Sequence, residues 1–270
     1  MRWINRQPQP ALRALLVALP FALVAVAYMT ASAARLAENP QDRILPAPST
    51  LASTAWRLMT EEDRRSGEVV FWLDTLSSLG LLGAGVGIAA LLGLAFGIAI
   101  GLIPYIRTTL SSFVAVISMI PPLSILPILF IMLGLGATAK IALIVIGIGP
   151  FLIRDMAQRV IDLPPEQFVK AQTLGASSTA IALRVVVPQL IPRLIGSVRL
   201  ALGPAWLFLI AAEAIASEQG LGYRIFLVRR FLAMDIILVY VAWITLLAFL
   251  FDYALRQISR RAFPWDGDAL

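Results

Sequence analysis

Two charged residues stand inside a stretch otherwise suited only to lipid. Arg199 and Glu213 interrupt "LIGSVRLALGPAWLFLIAAEAI" at 194–215. An ionised side chain in a membrane span is costly, so each is a candidate for lining a polar path or meeting a buried partner. They lie 14 residues apart, about 21 Å along a helix and on nearly the same face, so they cannot pair with each other. Two readings remain open. Both can reach an interface or a neighbouring polar group, or both can line a path at its two gates. An anionic solute would suit Arg199 better than Glu213.

Other chemistry is excluded by what the chain lacks. It has no His and no Cys, which removes His- or Cys-based catalysis, His/Cys zinc sites, iron–sulfur clusters and disulfides. Its two lysines are Lys140, followed by Ile141, and Lys170, followed by Ala171. A phosphate-binding loop needs Ser or Thr after its Lys, so neither fits. A membrane enzyme would then rest on Asp/Glu or Ser/Lys chemistry, but no paired carboxylates sit within the spans and neither Lys has a convincing serine partner. The chain is therefore expected to be no enzyme, with no catalytic residue, no metal site and no cofactor of its own.

The segment "FVKAQTLGASSTAIALRVVVPQLIP", 168–192, is too polar for a span and too apolar for an idle loop. Pro164 and Pro165 can open a short helix, where a missing donor does no harm. Gly175 stands past its end, where a positive φ is often required. Ser177 or Ser178 can cap a second helix, expected to stop before Pro188. Leu174, Gly175 and Ala176 then form a compact apolar knob, with Phe168, Ala171 and Ser177 beside it. On physical grounds the knob fits a groove on a partner as well as it fits a pair of helices lying on the membrane face.

These residues need a scaffold. The chain has 270 residues, 59% hydrophobic and 14% charged, against roughly 25% charged in soluble domains. Mean hydropathy is +0.85. The expected fold is an all-α integral membrane protein, one transmembrane domain over 1–270 with about six transmembrane helices. The spans are placed at 14–34, 76–103, 113–133, 138–153, 194–215 and 232–253. A retained first helix is favoured over a cleaved leader, although Ala31-Ser32-Ala33 resembles a cleavage site. Residues 35–78 form an external segment. In it Leu51, Ala55, Leu58 and Met59 share one helical face, suited to a membrane surface or to the protein itself.

Within the spans, Gly93, Gly97 and Gly101 repeat every four residues, as Gly83 and Gly87 do earlier, a spacing for close helix packing. Pro121, Pro122 and Pro127 break the third span, and broken helices in lipid face protein or a water-filled path. Lys and Arg, counting Arg2, Arg6 and Arg13 on one side and Arg64 and Arg65 on the other, favour both termini and 154–193 in the cytoplasm. The net charge of +6 is read as this bias, and no nucleic-acid partner is expected.

Gly175, nine residues, then Val185-x-Val187-Pro188 resembles the cytoplasmic loop motif of ABC importer permeases, E-A-A, three residues, Gly, nine residues, I-x-L-P. "IPPLSILPILFIMLGLG" (120–136), "ILPAPSTL" (44–51) and "AWLFLIAAEAIASEQGLGYRI" (205–225) are similar to the nitrate/taurine/alkanesulfonate/bicarbonate branch. The resemblance covers roughly Leu45 to the C-terminus. Val169 and Lys170 replace the Glu and first Ala of the motif, and Ala137 follows "LGLG" where an acid is frequent.

The resemblance implies a permease of a bacterial inner-membrane importer with the type I fold. A separate ATPase binds ATP and Mg, and two ATPases dock beneath two permeases, most simply a homodimer. The 154–193 loop is then the coupling loop, and Phe168, Ala171, Leu174, Gly175, Ala176, Ser177 and Pro188 are its contact residues. A solute-binding protein delivers the cargo, a small anion of the nitrate, sulfonate or taurine kind. The alternatives are a neutral or cationic nitrogen compound of the urea or guanidine kind, or a self-sufficient secondary transporter or channel.

Overall fold

The computed structural model describes residues 9–40, 42–63 and 67–265, which exclude Arg2, Arg6, Arg64 and Arg65 of the charge comparison. Among the described residues all regular structure is helical. Contacts divide the chain into two compact units, Met1–Val69 with Val228–Val241, and Val70–Leu227 with Ala242–Leu270.

The first unit holds α1 (Pro10–Glu38) and α2 (Pro48–Thr60). Both start on a proline, whose absent N–H falls where a helix has no acceptor to offer. The turn between them is tied back to α1. Ser32 donates to Leu45 O at 3.0 Å and Tyr28 to Pro46 O at 2.6 Å. Arg35 and Asp42 form an ion pair across the same turn. The pair and the Ile44 N–H bond hold the Asp42 carboxyl below the usual aspartate range. On α2, Thr54 is buried and donates to Asp235 Oδ2 at 3.0 Å. Leu51, Ala55, Leu58 and Met59 are half-buried, and Trp56 is exposed.

The second unit is built on α3 (Val70–Leu102), α6 (Ala137–Ile161) and α9 (Val187–Ile215). α3 and α6 touch along a stripe of small residues. A Cβ added to Gly85 would lie 2.8 Å from Ile144 Cβ, and one on Gly93 2.8 Å from Leu152 Cβ. Gly97 meets Met156 and Gly101 meets Val160 in still closer contact, and Ala89, between Gly85 and Gly93, is fully buried. Without side chains in the way the two backbones approach closely, which is how helices gain packing energy in lipid. The phase of the stripe is Gly85–Ala89–Gly93, and Gly83 and Gly87 face open space.

The remaining elements are α4 (Pro104–Ile117), α5 (Leu126–Leu133), α7 (Pro165–Thr173), α8 (Ser178–Ile181), α10 (Leu221–Arg229) and α11 (Met234–Ala262). Among the described residues five helices are long and apolar enough to cross a membrane, or six if the bent α4–α5 pair is one span. Several outrun their expected bounds. α3 begins at Val70 rather than 76, α6 continues to Ile161 rather than 153, and α11 to Ala262 rather than 253. Hydropathy marks the thickness of lipid, whereas a helix can continue into water on polar residues such as Arg154, Asp155 and Arg159.

One expectation is sharpened and one corrected. The break expected within the third span, 113–133, is a sharp bend. α4 ends at Ile117, a 3₁₀ turn covers Pro122–Ile125, and the two halves meet at 81°. The helix after Ser178 does not stop before Pro188. A π turn over Ala182–Val186 joins α8 to α9, and Val187 N–H reaches Ala182 O. The wide turn absorbs the proline, which lacks an N–H and would crowd the carbonyl four residues back.

Candidate functional site

The 162–186 segment forms an elbow at one end of α3, α6 and α9. Pro164 caps α7, and the helix closes in a double turn in which Gly175 N–H donates to Gln172 O (2.9 Å) and Ala176 N–H to Ala171 O (3.0 Å). That pattern needs a left-handed residue after the helix, and Gly175 supplies it at φ +80°. Ser177 then caps α8, accepting from Ala180 N–H at 3.2 Å.

The elbow has two faces. Phe168, Ala171, Ala176 and Val185 pack on a core of Met156, Val160, Ile181, Val186 and Leu190. Leu174 points away, 79% exposed, with Val169 and Leu183 also exposed. No atom lies within 4 Å of the space a Cβ on Gly175 would take. The segment is thus a firmly mounted base carrying an apolar tip that its own chain leaves uncovered. Pro188 lies above it at the start of α9.

The proline bend is the second candidate. Pro121 caps the 3₁₀ turn after α4 and Pro122 opens it, Pro121 exposed and Pro122 half-buried. Freed carbonyls there find local donors. Ser124 gives Pro121 O both its N–H (3.0 Å) and its hydroxyl (2.7 Å), and Ile120 N–H reaches Ile117 O at 3.1 Å. Met119 (77% exposed) flanks the bend.

The charges within spans have partners. Arg199 grips Asp252 of α11 with two bonds, Nε to Oδ1 at 2.8 Å and Nη2 to Oδ2 at 3.0 Å. Glu213, at the far end of α9, is fully buried. Its Oε1 accepts from Ser78 at 2.7 Å and its Oε2 from Gly222 N–H at 2.8 Å. Around it the first turn of α10 is held by α3. Gly220 N–H donates to Asp74 Oδ1 (2.8 Å), Leu221 N–H to Ser78 Oγ (2.9 Å), and Arg224 Nε to Asp74 Oδ2 (2.8 Å). Lys140 of α6 donates to Ser217 at 2.7 Å. Two carboxylates therefore neutralise the free N–H groups and positive dipole end of α10, a latch that locks the 216–222 turn onto α3 and α9.

The sequence reading missed Asp74, Ser78 and Asp252. Asp74 lay just before the assumed start of its span, and Asp252 in "AFLFDYALR" was a visible charge in an apolar run that deserved the same weight as Glu213. Arg199 and Glu213 are not brought together, and neither is without partners.

The family profile for the binding-protein-dependent transport system inner membrane component matches residues 85–264. The taurine transport system permease protein TauC of Escherichia coli (strain K12) is 34% identical over 201 residues, 74% of this chain and 73% of that protein. The putative aliphatic sulfonates transport permease protein SsuC of the same organism is 29% identical over 255 residues, 92% of this chain and 90% of the other. A bicarbonate transport system permease protein, CmpB of Synechocystis sp. (strain PCC 6803), is 31% identical over 158 residues, 58% of this chain and 56% of its own length. Among solved structures, a chain of the inward-facing MetNI methionine ABC transporter superposes with a TM-score of 0.58 at 18% identity, covering 71% of this chain and 97% of that one. At that identity the likeness is one of fold.

Proposed function

Because the chain belongs to the family of binding-protein-dependent transport system inner membrane components, we propose that it is driven by a separate ATPase through the elbow at 162–186. It is an ABC transporter permease of the taurine, sulfonate and bicarbonate type, a multi-pass inner-membrane protein and not an enzyme. The observation that carries the coupling reading is the two-faced elbow. Leu174 and Gly175 offer an uncovered apolar tip, while Phe168, Ala171 and Ala176 bind the tip's base to α3, α6 and α9. A groove on an ATPase that closes on the tip would move the spans behind it. The cargo path then alternates between two states biased by nucleotide and solute.

The remaining parts of the reading follow from it. A second copy completes the path, two ATPases bind ATP and Mg, and a binding protein delivers solute from outside. The elbow and both termini are cytoplasmic. Pro121, Pro122, Arg199 and Glu213 stay candidates for the path, Arg199 through exchange of Asp252 for an anionic solute. The solute is a small oxyanion or sulfonate, supported by what the relatives' names say they carry. Nothing favours a urea- or guanidine-like solute or a self-sufficient transporter.

The test is reconstitution. The chain co-expressed with the ATPase of its own operon is expected to co-purify with it and to take up labelled sulfonate only with ATP. Uphill uptake by the chain alone in vesicles would refute the proposal.

A further inference from the structure

Two cavities meet at Arg107. The larger, about 870 Å³, runs between the last turns of α3 (Ile98, Ala99, Leu102) and the elbow (Phe168, Gln172, Thr179). The smaller, about 280 Å³, is lined by Arg107, Ser111, Arg154 and Gln158. Arg107 borders both, and no Asp or Glu lines either. Its guanidinium is fixed by the end of α3, with Nε donating to Ile100 O at 3.0 Å and Nη2 to Gly101 O. Arg154 is steadied by Ser118, its Nη1 donating to Oγ at 2.9 Å.

We propose that these cavities form one site for an anionic phospholipid, with an acyl chain in the larger and the phosphate between Arg107 and Arg154 in the smaller. The long wall is the end of an apolar span, and Ile98, Ala99, Leu102 and Phe168 give an acyl chain an apolar face, with Gln172, Ser178 and Thr179 on the elbow side. Arg107 lies just past the end of α3, whose stretch from Leu79 to Leu102 carries no charge, where a headgroup would sit. Two guanidiniums, with no carboxylate in either lining, select a phosphate that carries net negative charge, and each can grip it with two donors. Basic pockets between spans at the membrane surface hold anionic headgroups in this way. A choline headgroup would bring a cation into the same field. Occupation would wedge the elbow against α3. Only the choice of leaflet rests on the proposed cytoplasmic elbow.

The full chain, delipidated in mild detergent, is offered phosphatidylglycerol or phosphatidylcholine vesicles, and retained lipid is read by native mass spectrometry. The expected result is one phosphatidylglycerol per chain, held roughly tenfold better than phosphatidylcholine, the equivalent of about 1.4 kcal/mol. Arg154→Gln, which leaves the α3 contacts of Arg107 in place, and Ala99→Trp, which fills the apolar groove, are each expected to lower retention by a similar factor. Thermal unfolding of the lipid-free variants is expected to match that of the unaltered chain. Equal retention of the two lipids, or retention indifferent to both variants, overturns the proposal. So does displacement by free inorganic phosphate with no effect of Ala99→Trp, which marks a free-anion site. Failure to co-purify an ATPase would remove the functional reading and leave these results unchanged.

Discussion

The two ends of the second unit solve opposite problems. At the far end, Asp74, Ser78, Glu213 and Arg224 are drawn into a closed set of bonds with the first turn of α10, and Glu213 has no contact with solvent. At the elbow, Leu174 is 79% exposed and the space a Cβ on Gly175 would take is empty. One end spends its polar groups on holding itself still. The other keeps an apolar tip uncovered, a surface open to a partner. The contrast teaches that exposure is the better guide to partnership, and buried charge the better guide to architecture.

The comparison breaks most readily at Glu213. Replacing it with Ala leaves Ser78 and the Gly222 N–H buried without their acceptor and Lys140 with less opposing charge. The expected cost is about 3–5 kcal/mol, as for other broken buried charge networks, read as a large fall in thermal midpoint in detergent. A midpoint within a degree of the parent would show that the latch is not structural.

Gly175→Leu tests the other end. A left-handed Leu costs about 1–2 kcal/mol, so the protein should still insert and fold, with transport-coupled ATP hydrolysis nearly lost. Leu174→Ala, which adds no strain, should weaken coupling in the same direction. Full coupling in both variants would take the elbow out of the mechanism.

A smaller effect is expected between the ends. A double-mutant cycle on Arg199→Met and Asp252→Leu should give a coupling energy of about 0.6–1.7 kcal/mol, the range of interhelical polar pairs in membranes. If stability recovers in the double variant while uptake does not, Arg199 serves the path as well as the packing.

The least effect belongs to the Arg35–Asp42 pair in the first unit. Asp42 is held below its ordinary value, first by the Arg35 hydrogen bond, so its folded pKa lies under the unfolded one. Its contribution is complete above the unfolded value of about 3.9 and disappears as pH falls through the folded value. Asp42→Asn should therefore match the parent's thermal midpoint in strong acid and fall slightly below it at neutral pH. A pH-independent difference would remove the ion pair as the cause.

Much of the elbow was legible because its determinants are local. Pro164-Pro165, a glycine five residues past Lys170 and a Ser after it leave few ways to fold, and φ at Gly175 follows from the residue type. The small-residue stripe was legible in period and only partly in phase, since Gly83 and Gly85 are both glycines and only α6 decides which one faces it. The latch and the Arg199–Asp252 pair were not legible. Apart from Glu213 and Gly222, 9 residues apart, their partners lie 53 to 150 residues apart, and no spacing rule links them. The bend at Pro121 was readable as a break, but its 81° angle is set by Ser124 and the 3₁₀ turn rather than by proline alone.

The π turn at 182–186 stores one residue more than an α-helical path would hold. Each residue of an α-helix advances the azimuth by about 100°. The whole rod from Val187 to Ile215 is therefore indexed by its foot, and a chain one residue shorter there would swing both Arg199 and Glu213 off their partners together.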